Sequence, residues 1–125
     1  MTKFCWCTLL VSDMERSIKF YTEVAGLRVD RRFPAGPGKE VCFLGDGETK
    51  VELIRDAACP GSPAADSVTL GFEAGPLEAK LAFLKGRGIE PLGPVIQPNP
   101  GVRFFFIKDP DGFRVQFVER PGAGA

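Results

Sequence analysis

The chain of 125 residues contains no histidine. That absence removes the imidazole ligands on which catalytic zinc, nickel and iron sites usually draw, and it excludes any Ser/His or Cys/His nucleophile pair. No run of five like charges occurs, and Lys+Arg and Asp+Glu each number 16. Nothing therefore marks the chain for nucleic acid or for an anionic membrane surface. No glycine-rich phosphate loop follows a strand, and no CxxC is present. The apolar stretch near the start is too short for a signal-peptide core and far too short to span a bilayer, so a cytoplasmic protein is expected, with no membrane partner.

Cysteine is present but sparse, at four residues. Cys5 and Cys7 sit two apart on an expected strand, on the same face, with side chains too far apart to bridge easily. Reduced thiols are the expectation. The other reading, a soft-metal or redox pair on one strand face, stays open.

What the sequence does have is an internal repeat. An offset of about 61 to 64 residues lays Phe43-Leu44 over Phe106-Ile107, Gly26-Leu27 over Gly88-Ile89, and Val51-Glu52-Leu53-Ile54 over Val115-Gln116-Phe117-Val118. In the first half a strand is expected over 4–11. Asp13 then caps a helix with Met14, Ile18, Tyr21 and Ala25 at helical spacing, and Gly26 ends it. Strands follow over 27–33, 40–45 and 49–55, the last two joined by Gly45-Asp46-Gly47.

The second half repeats the order. A strand over 67–73 precedes a helix opened by Pro76, carrying Leu77, Leu81 and Leu84 on one face and closed by Gly86 and Gly88. Three strands are expected over 89–92, 102–108 and 113–119. The proline-rich stretch 94–100 is expected to be a loop, because proline removes ladder donors. The fold class is α+β: two βαβββ modules in tandem forming a curved mixed sheet around a cleft. The modules are expected over about 3–56 and 67–119 of a single domain, with a connector over 57–66 and a disordered tail over 120–125.

Two motifs carry a resemblance. Thr8-Leu9-Leu10-Val11-Ser12-Asp13-Met14-Glu15-Arg16-Ser17-Ile18-Lys19-Phe20-Tyr21 with Gly26-Leu27, and Phe106-Ile107-Lys108-Asp109-Pro110-Asp111-Gly112 with Val115-Gln116-Phe117, resemble the vicinal oxygen chelate superfamily. That group holds glyoxalases, bleomycin-resistance proteins and extradiol dioxygenases. The resemblance is specific for the fold and weak for function, since the group spans lyases, epimerases, dioxygenases, thiol transferases and non-catalytic drug-binding proteins.

Carried across by motif distance, the superfamily's metal-ligand positions fall on Trp6, Glu52, Ser67 and Gln116. A slip in the alignment at Ser67 would offer Asp66 instead. Tryptophan cannot ligate a divalent ion, a serine hydroxyl is a poor ligand, and one carboxylate with one amide oxygen falls short of the usual set. The resemblance with these substitutions implies neither metal nor cofactor. It also implies a homodimer, since a four-stranded sheet with one helix leaves edges and a face in need of a partner.

Strand alternation sets the expected lining of the cleft. Trp6, Thr8 and Leu10 face inward while Cys5, Cys7, Leu9 and Val11 pack under the helix. The fourth strand adds Lys50, Glu52 and Ile54. A three-residue loop, Pro110-Asp111-Gly112, pairs Gln116 with Phe106 and turns Phe104, Phe106 and Arg114 inward. Phe43 pairs with Glu52 on similar counting. The ligand-binding candidates are thus Trp6, Thr8, Leu10, Phe43, Glu52, Ser67, Phe104, Phe106, Arg114 and Gln116.

Aromatic walls with a few convergent polar groups suit a planar or amphipathic small molecule, possible antibiotics included. The same phenylalanines could equally fill a core or a dimer interface. Glu52 could be solvated, paired with Arg114, or in contact with a ligand. Arg28, Arg31 and Arg32 are read as solvation and protection of a strand edge. Two functions follow: a metal-independent binding protein of the glyoxalase/bleomycin-resistance type, or an enzyme whose non-standard site centres on Glu52 as metal ligand or general base.

Overall fold

The computed structural model describes residues 4–47, 49–59 and 67–121. The expected connector over 57–66 lies outside the described residues from 60 onward, as does the tail from 122 onward; Asp66 is among the residues not described. The chain divides into two compact units, Met1–Ala64 and Ala65–Ala125.

In the first unit, β1 (Trp6–Leu10) leads into α1 (Met14–Lys19), a π-helical turn over Phe20–Val24, and then β2 (Val29–Pro34), β3 (Lys39–Leu44) and β4 (Lys50–Asp56). Asp13 caps α1 as its sequence demands: its carboxylate accepts from the Arg16 N–H at 3.0 Å. The helix then widens because the Thr22 hydroxyl donates to the Ile18 carbonyl at 2.8 Å, while the Ala25 N–H reaches back five residues to Phe20. Gly26, at φ +83°, takes the left-handed conformation that ends it.

The second unit repeats this order with β5 (Thr69–Glu73), α2 (Leu77–Gly86), β6 (Ile96–Asn99), β7 (Val102–Lys108) and β8 (Arg114–Glu119). The two sheets have the strand orders β1-β4-β3-β2 and β5-β8-β7-β6. In each, the first strand pairs parallel with the last, and the other pairs are antiparallel. These are tandem βαβββ modules with mixed four-stranded sheets.

A parallel pair requires a crossover, and the helix supplies it, packing on β4 in one unit and on β8 in the other. One sheet face in each unit is therefore covered. Beneath α1 lie Leu9, Val11, Leu44, Val51 and Leu53; beneath α2 lie Phe105, Ile107, Val115 and Phe117, all buried. The Phe105 and Phe117 rings meet at 5.7 Å between centroids. Among the described residues no helix is long and apolar enough to cross a membrane.

The β7–β8 hairpin takes the expected register, with Phe106 opposite Gln116. Asp109 holds it, accepting at 2.9 Å from both the Asp111 and Phe113 N–H groups. Phe43 stands opposite Glu52, also as expected. Two strand expectations need correction. The strand expected over 89–92 does not form; the second strand of this module is β6, inside the stretch taken for a loop. Proline is tolerated there because β6 is the sheet edge, where a missing N–H costs no ladder bond on the outer side. In addition, β5 starts at Thr69, so Ser67 precedes the strand.

Leu53 is fully buried on the covered face of a central strand. Leu53→Ala is expected to lower the stability of the protein by about 2–5 kcal/mol through the cavity it leaves, read as a shifted midpoint in urea unfolding. A loss under about 0.5 kcal/mol, the range of surface substitutions, would contradict the packing described.

Candidate functional site

Alternation along the strands leaves each unit a second sheet face, opposite its helix. On the first unit the ladders align Thr8, Glu52, Phe43 and Arg31 side by side across all four strands. Phe43 is the centre of this row. It is 4% exposed although it lies opposite the helix, and its ring is packed from three directions. Trp6 meets it edge-on at 5.3 Å, Phe33 stacks at 6.3 Å, and the Arg31 guanidinium lies 4.8 Å from its centroid. Each such aromatic or cation–π contact contributes roughly 0.5–1.5 kcal/mol.

Trp6 is half exposed, at 50%. One edge of its indole is thus anchored on Phe43 while the rest of the ring is accessible. Beside it, the Thr8 hydroxyl donates to Glu52 Oε1 at 2.5 Å. The bond fixes the carboxylate on this face and leaves its second oxygen for another donor. Lys50 donates to the Gly45 carbonyl at 3.0 Å and lies 3.5 Å from Asp30. Leu10 continues the same face with Ile54, both half-buried.

The second unit places Phe104, Phe106, Arg114 and Gln116 together opposite α2. The two rings meet edge-on at 5.6 Å, and the Arg114 guanidinium lies 4.5 Å from the Phe106 centroid. Gln116 has Gly71 across the parallel ladder, where the first unit has Thr8 across from Glu52. A Cβ at position 71 would come within 3.2 Å of Gln116 Oε1, so glycine here leaves room for the amide. Ser67 lies outside this group, two residues before β5 begins.

Of the alternatives for Glu52, the structure displays the bond from Thr8, while Arg114 is laid over Phe106. Arg31 and Phe33 were not among the site candidates. The basic cluster instead separates by alternation: Arg32 turns to the helix side and binds Glu15 of α1 and Glu40 of β3, whereas Arg31 turns to the aromatic row. Counting back from Phe43 could have found Arg31. The register shift between Val29 and Arg31 hides that parity at the strand's start.

All four cysteines are free of disulfides, Cys5 and Cys59 exposed, Cys7 half-buried and Cys42 buried. Burial raises the pKa of Cys7, and burial, tempered by the charge of Arg32, raises that of Cys42, so neither is poised to ligate as a thiolate. At the four superfamily ligand positions the donors do not fit a metal. The indole of Trp6 offers only an N–H donor, one oxygen of Glu52 is engaged by Thr8, and Ser67 and Gln116 are neutral. Among the described residues no group of three or more His, Cys, Asp and Glu could hold a metal ion.

Tandem βαβββ units, each a mixed four-stranded sheet with one crossover helix, define the class of fold. Residues 3–117 match the sequence profile of the Glyoxalase/Bleomycin resistance protein/Dioxygenase superfamily, and the chain belongs to that superfamily. It is 30% identical over 121 residues to the lactoylglutathione lyase of Haemophilus influenzae, covering 89% of this chain and 87% of the relative. A glyoxalase family protein from Bacillus cereus superposes with a TM-score of 0.82 at 18% identity, over 96% of this chain and 95% of that one. TnmS3, an antibiotic binding protein from Streptomyces sp. CB03234, superposes with a TM-score of 0.72 at 21% identity, over 96% and 98%.

Elemental mass spectrometry of protein purified without chelators, with and without added transition metals, is expected to find far less than one tightly held ion per chain. About one per chain would show that the donors combine in a way the residues named here do not explain.

Proposed function

We propose that the chain is a metal-independent binding protein of the glyoxalase/bleomycin-resistance type, cytoplasmic and homodimeric, that holds a planar or amphipathic small molecule. The observation that carries this reading is the Trp6–Phe43–Phe33 cluster with Arg31 over it: an accessible indole beside a fixed hydroxyl–carboxylate pair. Aromatic faces stack on planar ligands, and the polar pair sets their orientation. TnmS3, which shares the fold, is an antibiotic binding protein, and an antibiotic is among the ligands this reading admits. A cationic glycopeptide would call for an acidic site, whereas this row carries Glu52 against Arg31, so a smaller aromatic or quinone-like compound suits it better.

Trp6 is the only tryptophan and a built-in reporter. Titration with 1,4-naphthoquinone and with anthraquinone-2-sulfonate is expected to quench its fluorescence saturably. Calorimetry is expected to give at least tenfold weaker binding for Trp6→Ala and Phe43→Ala. Unchanged affinity in Trp6→Ala would retire the proposal. Sedimentation at micromolar concentration should give about twice the 13.6 kDa chain mass.

A second reading is favoured by one contact. The Thr8 hydroxyl orients Glu52 as a general base would be oriented, and the chain has a lactoylglutathione lyase among its relatives. If the protein forms lactoylglutathione, Glu52→Gln should lose at least a hundredfold in kcat, in keeping with what a general base contributes. Equal turnover in the two proteins would dispose of this reading.

A further inference from the structure

Away from the aromatic row, the first unit contains one buried side-chain nitrogen with no hydrogen-bond partner, Nη1 of Arg55, and among the described residues it is the only such side-chain atom. Leaving a buried guanidinium N–H unmade is costly, because the group has given up water and gained nothing for it. The nearest cross-strand carboxylate does not relieve it. Arg55 stands opposite Glu40, but Glu40 accepts from Arg32, which also binds Glu15.

Arg55 opens onto a cavity of about 480 Å³ at the end of the sheet, lined also by Lys39, Glu40, Gly36 and Gly38 of the β2–β3 hairpin, and by Ala57. Arg55 is three residues beyond Glu52, so it faces the opposite side of β4 from the aromatic row. The hairpin is closed by bonds from Ala35 N–H to the Lys39 carbonyl at 2.9 Å and from Lys39 N–H to the Gly36 carbonyl at 3.2 Å. The Ala57 N–H ties β4 to it at the Gly38 carbonyl, at 2.9 Å. Gly38 has φ +68°, and a Cβ there would come within 3.2 Å of the Ala57 Cβ. Glycine therefore meets a backbone requirement and keeps the wall of the cavity open.

We propose that this cavity is an oxyanion-binding site, in which Arg55 receives a carboxylate or a phosphate monoester. Arg55 supplies a planar fork suited to two oxygens of one group. Glu40 lines the site too, but its charge is offset by Arg32. The cavity is large enough for an oxyanion carrying a small organic body. This site is separate from the aromatic face, and either can exist without the other.

The test is amide NMR of the full chain, titrated at constant ionic strength with inorganic phosphate and, separately, with malonate. The Gly36, Gly38 and Lys39 resonances should move saturably, with at least tenfold weaker binding in Arg55→Gln and a smaller loss in Arg55→Lys. Response to phosphate alone assigns a phosphoryl ligand, and response to malonate alone a carboxylate. Should Arg55→Gln fail to fold, Arg55→Lys decides, with an expected loss of at least threefold. No movement with either anion, or the same affinity in the variants as in the parent, overturns the proposal.

Discussion

In each unit the parallel pairing of the first strand with the last constrains everything else. Two adjacent parallel strands cannot be joined by a tight turn, so the chain must leave the sheet and return, and the intervening helix has to lie across one face. That covers Leu9, Val51 and Leu53 in one unit and Val115 and Phe117 in the other. Burying these side chains stabilises the unit by roughly 1.5–3 kcal/mol each, well above the 0–1 kcal/mol of an exposed ion pair. The register of β1 on β4 is accordingly set by apolar burial and not by Glu52 or Thr8, because a slip of one residue would exchange every inward and outward side chain.

Because the register is held from the covered side, the opposite face is free to vary. Phe43 nevertheless became a buried residue there, gathering Trp6, Phe33 and Arg31 around it. An aromatic residue boxed in this way is a rigid platform, since its rotamer is fixed by three neighbours on two strands before any ligand arrives. Thr8 does the same for Glu52 on the adjoining strand pair.

Much of the fold was legible because its signals are local or periodic: the Asp13 cap, the Gly26 stop, alternation along β1 and β4, and the Asp109-Pro110-Asp111-Gly112 turn that fixes Phe106 against Gln116. The edge strands were harder to read. β6 contains a proline and has a partner on one side only, so neither composition nor apolar alternation announces it. β2 carries a register shift between Val29 and Arg31 that hides which face each arginine takes, and three arginines in a row of five positions read as solvation until that shift is known. Arg55 was invisible for another reason. A lone arginine near a strand end is ordinary in sequence, and only the capture of Glu40 by Arg32 leaves it without an acceptor.

Duplication also permits the two units to be compared position by position. Across the parallel ladder Thr8 faces Glu52 in the first, while Gly71 faces Gln116 in the second; likewise Trp6 faces Lys50 and Thr69 faces Arg114. The backbone bonds are the same, yet one unit offers an accessible indole and an oriented carboxylate and the other a neutral amide with space cleared before it. Here the covered faces keep the same apolar character while the equivalent polar positions have diverged in charge, size and hydrogen-bonding type. The burial that makes the fold thus places no demand on these positions, and the open face of each unit is free to carry a chemistry of its own.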